Sequence, residues 1–156
     1  MRNEGISLLS GLATWSPSRY AFPSPMHAND GPSLYERLGG AYKIAALVDD
    51  FIDRIMTDPR LDANPRVREA NARISKPGLK YLVTEMACWA TGGPQKYTGR
   101  SMGESHRNLS ITEGEWGSFI DDFERASDAC GVHDPERREL IAILESWKSV
   151  IVVPSD

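Results

Sequence analysis

From residue 33 onward the apolar side chains recur at steps of three and four, the period of a helix with one buried face. The clearest run is Ile44, Leu47, Val48, Phe51, Ile52 and Ile55. A second, Leu79, Leu82, Val83, Met86, Ala87 and Ala90, stops at Gly92-Gly93-Pro94, where glycine permits a left-handed cap and proline blocks continuation. A third follows Thr112-Glu113-Gly114-Glu115, which has capping-box spacing, and sets Trp116, Phe119, Ile120 and Phe123 on one face. Asp134-Pro135 supplies a cap and a preset first turn for a fourth, with the stripe Leu140, Ile143, Leu144, Trp147, Val150 and Ile151. No stretch alternates with the period of two that marks a half-buried strand, so the pattern predicts an all-α domain.

Shorter pieces fill the gaps. Residues 33–38, ahead of Gly39-Gly40, and residues 101–108 predict two short helices. Residues 61–77 break the pattern: Arg66, Arg68, Arg73 and Lys76 stand against Asp62 and Glu69, with Pro65 near the start and Pro77 at the end. This predicts a loop with at most a brief helix, either a solvated connection or a basic edge facing the carboxylates of a ligand or an acidic partner.

Composition narrows the class. With 156 residues, 40% hydrophobic and 26% charged, the chain fits one soluble globular domain. The division falls near residue 32: residues 1–32 hold four of the ten prolines and read as an irregular extension, and residues 33–156 form the domain. The apolar run from Ile6 to Trp15 lacks a net basic start and is broken by Ser10 and Gly11, unlike an export signal. A net charge of −4 argues against a general nucleic-acid binder, and no apolar run approaches the roughly 20 residues of a membrane span. Cys88 and Cys130 show no CxxC spacing and read as two reduced, partly buried thiols, which points to a reducing compartment, the cytoplasm.

Candidate chemistry rests on few residues. Of three histidines, His27 lies in the extension, His133 at a helix boundary and His106 in the short helical piece between two long helices. A neutral imidazole is a good iron ligand when an acceptor on its other nitrogen fixes the tautomer, and one protein histidine suffices for a haem, whereas zinc needs three or four protein ligands. Asp49, Asp50 and Asp53 lack an accompanying Glu-x-x-His pair and read as a solvated helix face. Cys130 and His133 lack a third orienting group and are assigned no catalysis. Trp89, Trp116 and Trp147 read as packing residues.

The order of motifs adds a resemblance. Ser33-Leu34-Tyr35-Glu36-Arg37-Leu38-Gly39-Gly40, Val48-Asp49-Asp50-Phe51, Asp58-Pro59-Arg60-Leu61, Gly92-Gly93-Pro94, Tyr97-Thr98-Gly99 and His106 follow one another as in the group I truncated haemoglobins, which the chain resembles from residue 33 to about 153. The resemblance implies a two-over-two α-helical sandwich around a haem b, with His106 the proximal iron ligand and a diatomic gas (oxygen, NO or CO) bound opposite. Tyr97 matches the family motif, and a buried tyrosine packed on the short helix explains it equally well.

The departures bear on function. Where the family usually carries a distal tyrosine this chain has Ile52, and the distal-helix position often held by glutamine falls on Val83, with Leu79 one turn earlier. Neither Ile52 nor Val83 donates a hydrogen bond. The implied pocket, bounded by Phe51, Ile52, Leu79, Val83 and Met86, is apolar and discriminates oxygen from CO and NO less strongly. The family's haem-packing phenylalanine is also missing, with Asn64 and Pro65 near its place and extra residues before the distal helix. Lys80 and Tyr81, beside the distal stripe, read as peripheral. Family chemistry includes conversion of NO to nitrate, which needs an electron-donating reductase as partner and an oxygen-stabilising pocket, so enzyme status stays open. The missing aromatic residues also leave a different class of function, a haem-free interaction or sensory module.

Overall fold

In the computed structural model, which describes residues 31–154, six of the eight helices start behind a side-chain cap, the exceptions being the second and the last. In α1 (Leu34–Arg37) the Ser33 hydroxyl accepts the Glu36 amide while the Glu36 carboxylate reaches back to the Ser33 amide. α2 (Gly40–Ile55) follows Gly39 in a left-handed conformation at φ +89°. α6 (Met102–His106) and α7 (Glu113–Ala129) open with capping boxes, Ser101 with Glu104 and Thr112 with Glu115. α8 (Asp134–Ile151) has His133 rather than Asp134 at its cap, with Pro135 in its first turn.

Residues 61–77 correct the sequence expectation. Instead of a loop they carry α3 (Pro59–Asp62), the nine-residue α4 (Pro65–Arg73) and the start of α5 (Lys76–Ala90). Each proline sits at the first or second helical position behind a side-chain cap: Asp58 accepts from the Arg60 amide at 2.8 Å, Asn64 from Arg66 at 3.0 Å and Ser75 from Gly78 at 3.3 Å. A proline there loses no intrahelical bond, so Pro59, Pro65 and Pro77 start helices rather than end them.

α2 is the central element. Its Leu47 and Phe51 join Leu34, Phe123, Ala126 and Leu140 in one buried cluster shared with α7 and α8, while Ile44, Val48 and Ile52 join Cys88 of α5 in another. α2 therefore packs on both α5 and α7, and α7 packs on α8, the pairing of a two-over-two helical sandwich. Among the described residues the extended pairing is a single bridge between Ile111 and Val152, and no helix is long and apolar enough to cross a membrane. The irregular character expected of residues 1–32, with His27, falls almost wholly outside the described residues.

Two turns hold the sandwich ends together. Gly92 stands at φ +89°, and a Cβ on Gly93 would meet the Tyr35 ring at 2.6 Å and the Cys88 carbonyl at 2.8 Å, so the turn after α5 needs both glycines to approach α1. Arg37 of α1 reaches Glu136 at 2.8 Å and Glu139 at 2.6 Å on α8. Two packing expectations change: Trp89 is exposed on the outer face of α5, and Cys130, the residue capping the end of α7, is exposed while Cys88 is fully buried. Both thiols are free.

Candidate functional site

α2, α4, α5, α6, α7 and α8 surround a cavity of about 690 Å³. That volume lies within the range of about 300–1,000 Å³ that small-molecule and cofactor sites occupy. Its floor is the apolar stripe of α2, including Phe51 and Ile52, the latter 1% exposed. Leu79, Leu82, Val83 and Met86 of α5 form one wall, and all four are only half-buried because the cavity, rather than protein, lies over them. Phe119 and Phe123 of α7 and Leu144 and Trp147 of α8 continue the wall. Phe51 meets Phe119 and Phe123 edge to face, with centroids 5.1 and 5.3 Å apart.

His106 is the single histidine among the lining residues. Its Nδ1 lies 2.8 Å from the Met102 carbonyl one turn earlier. A carbonyl only accepts, so Nδ1 carries the proton of this bond, and in the neutral ring Nε2 is left as a free lone pair. α6 is short, so this bond together with the Ser101–Glu104 box sets the imidazole's orientation. The Tyr97 hydroxyl donates to the Arg100 carbonyl at 2.7 Å and its half-buried ring lies over Gly99 of its own turn; burial pushes its phenol up. Arg100 is exposed at the cavity edge and makes no ion pair among the described residues.

All seven positions singled out from the sequence, His106, Phe51, Ile52, Leu79, Val83, Met86 and Tyr97, stand around this one cavity. Lys80 points to ion pairs with Asp49 at 2.5 Å and Asp53 at 2.9 Å, hydrogen bonds that push its ammonium up. Tyr81 is 62% exposed at the rim, its phenol pushed up by the Glu85 carboxylate. The three aspartates of α2 pair with Lys76, Lys80 and Arg54. The described residues hold no group of three or more side chains fit to bind a metal ion by themselves.

Sequence reasoning missed one wall. Val67, Ala70, Asn71 and Ile74 of α4 line the cavity at the spacing of a single helix face. The signal is present but diluted, because three arginines, a glutamate and a proline share the same dozen residues and mask a stripe with two small or polar members.

A two-over-two helical frame closed on an apolar cavity with one oriented imidazole in its wall is the architecture of a truncated globin. Residues 33–152 match the model of the bacterial-like globin family, and the chain belongs to that family. It is 28% identical over 112 residues to the group 1 truncated hemoglobin GlbN of Mycolicibacterium paratuberculosis, covering 72% of this chain and 78% of that one. Over 89 residues it is 30% identical to the group 1 truncated hemoglobin GlbN of Synechocystis, covering 57% and 67%. Among solved structures, the truncated hemoglobin from Tetrahymena pyriformis superposes with a TM-score of 0.68 at 21% identity, covering 79% of this chain and 100% of that one. The group II truncated hemoglobin from Bacillus anthracis gives 0.67 at 21% identity, covering 82% and 96%. At that identity the likeness concerns the fold, which is common to relatives of both groups; the group 1 likeness rests on sequence.

Proposed function

We propose that this globin holds a haem b in the cavity, with His106 as the protein's iron ligand, and that a diatomic gas binds on the opposite side. The observation that carries the reading is the Met102–His106 bond at 2.8 Å, which leaves one imidazole lone pair free in the wall of a large apolar void. The residues fit the group: an apolar macrocycle would complete the half-buried face of α5, and the unpaired guanidinium of Arg100 at the edge suits its carboxylates. When bound, the haem iron supplies reversible coordination of a small gas molecule.

The chain's own residues do the rest. The Met102 carbonyl fixes the His106 tautomer and keeps the ring from turning. Phe51, Ile52, Leu79, Val83 and Met86 keep water out and offer a gas ligand no hydrogen bond, so the chain favours polarised oxygen over CO less than a pocket with a donor does. The cavity weighs against a haem-free module, since apolar walls around an empty space of this size forfeit contacts that a well-packed interior makes.

The test is the visible spectrum of the full chain reconstituted with haemin, as ferric, reduced and CO-bound forms, beside His106→Ala. A sharp Soret band that moves on reduction and with CO, and that weakens in the variant, is the expected result. Extraction of the pigment into acidified butanone tests whether the added haem is held without a covalent bond. A free-haemin spectrum indifferent to the substitution removes the assignment.

A further inference from the structure

α4 is set apart from the rest of the sandwich. None of its residues is buried, and the helix is bounded at both ends by residues in extended conformation, Asn64 with ψ 113° and Ile74 with ψ 137°. Its cavity side carries Val67, Ala70 and Asn71, and its outer side carries Arg66, Arg68, Glu69 and Arg73, with an ion pair between Arg73 and Glu69. Such a segment covers the cavity without being built into the core.

What fastens it to the rest of the domain is polar. The Asn64 carboxamide donates to the Leu109 carbonyl at 3.0 Å while its oxygen caps α4. The Arg66 guanidinium donates to Ser110 Oγ at 2.7 Å and to the Asn108 carbonyl at 3.4 Å. These three acceptors lie in the turn directly after His106. In that turn Ser110 stands at φ +52°, a left-handed conformation that a residue with a side chain adopts at some cost. On its far side the same turn is fixed by the Val153 amide, which donates to the Ile111 carbonyl at 2.9 Å.

We propose that Arg66, with Asn64, is a positioning residue that latches α4 to the turn behind His106, so that the cover of the cavity and the imidazole in its wall open together when an occupant enters or leaves. The latch concerns residues that no motif of the domain marks, and only its haem arm rests on the proposed occupant. Two independent features of the structure meet in it: a helix with no buried residue, and a strained turn whose side chain accepts the helix's arginine. Releasing Arg66 leaves the N-terminal end of α4 held to this turn by Asn64 alone and removes the donor to Ser110 Oγ, so both segments gain motion.

The test is amide hydrogen exchange of the full-length, haem-free chain in wild type, Arg66→Ala and Arg66→Lys, read over residues 66–73 and 106–111. Arg66→Ala is expected to speed exchange about three- to tenfold in both segments, as loss of one solvent-exposed hydrogen bond of ordinary strength predicts, with α2 and α7 unchanged. Arg66→Lys, which can still reach one acceptor, is expected to fall between. Faster exchange confined to residues 66–73, or no change in either segment, overturns the latch. A second measurement follows transfer of haemin from each protein to an excess of apo-globin, expected to quicken by the same factor in Arg66→Ala; an unchanged rate overturns the gating. If the wild type takes up no haemin, the proposed function fails while the exchange result still decides the latch.

Discussion

Asp58 and Asp122 share one guanidinium: Arg60 Nη2 lies 2.9 Å from Asp58 Oδ2 and 3.3 Å from Asp122 Oδ1, with both carboxyl groups buried. Arg60 also reaches Asp121 at 2.8 Å, so a single cation ties the cap of α3 to two carboxylates of α7. Burial first, then the neighbouring Asp58, pushes the Asp122 carboxyl above the usual carboxylate range. Burial acts the same way on Asp58, but the Arg60 amide and guanidinium outweigh it and hold that carboxyl below its usual range.

The pair therefore retains a proton on Asp122 that the unfolded chain releases near pH about 4. From there up to the native value of Asp122, rising pH removes stability through this group; Asp58 acts oppositely, its contribution being lost as pH falls through its depressed value. Asp122→Asn keeps a donor toward Asp58 and abolishes the first effect. It is expected to unfold at a higher temperature than wild type at pH 7, with the gap closing below pH about 4. Thermal unfolding across that range checks it, and a gap independent of pH, or absent at pH 7, contradicts the shared proton.

How much of this was legible beforehand differs by element. The long helices were plain because their stripes are undiluted: Ile44 to Ile55 contributes five of the residues that end up buried on α2. The capping box at Thr112 forms as its spacing predicts, and Ser33 and Ser101 form two more with the same spacing that the sequence reading does not single out. α4 is hidden because Pro65 and Pro77 read as the limits of a loop, although a capping side chain one or two residues before a proline, as at Asn64 and Ser75, is a start signal. The positions of His106, Ile52 and Val83 around one cavity followed from matching motifs, whereas the latch between Arg66 and Ser110 spans 44 residues of sequence and has no local signature. Trp89 is exposed rather than packed because it stands one position beyond the buried Cys88, and on a helix that step of about 100° turns a side chain from the core to solvent.

Phe51 is where the sandwich and the cavity meet. It is 5% exposed, belongs to the cluster shared with α7 and α8, and makes edge contacts with two rings at the cavity wall. Phe51→Ala removes both contacts and adjoins the new space to an existing void, so the surrounding helices have little to collapse onto. The expected loss is about 3–5 kcal/mol in urea unfolding of the haem-free chain. A loss below about 1 kcal/mol would show that the cavity already leaves this ring loosely held.

Val83 offers a direct test of the apolar pocket. It lies half-buried on the cavity wall of α5 and packs toward the cluster of Ile44, Val48 and Ile52, so a longer side chain there has the void to extend into. Ile52, by contrast, is enclosed by protein, and a larger residue at that site strains the core before it reaches the cavity. Val83→Gln introduces an amide donor at little steric cost. If His106 binds the haem iron, oxygen carries more negative charge than CO and gains more from that donor, by a hydrogen bond of about 1.4 kcal/mol. Oxygen release from the reduced, haem-loaded protein is then expected to slow about tenfold in stopped-flow displacement by CO, while CO release changes by less than about twofold. Equal slowing of both gases would mark a steric effect on the exit path, and no change in either would place the gas on a side of the cavity that Val83 does not face.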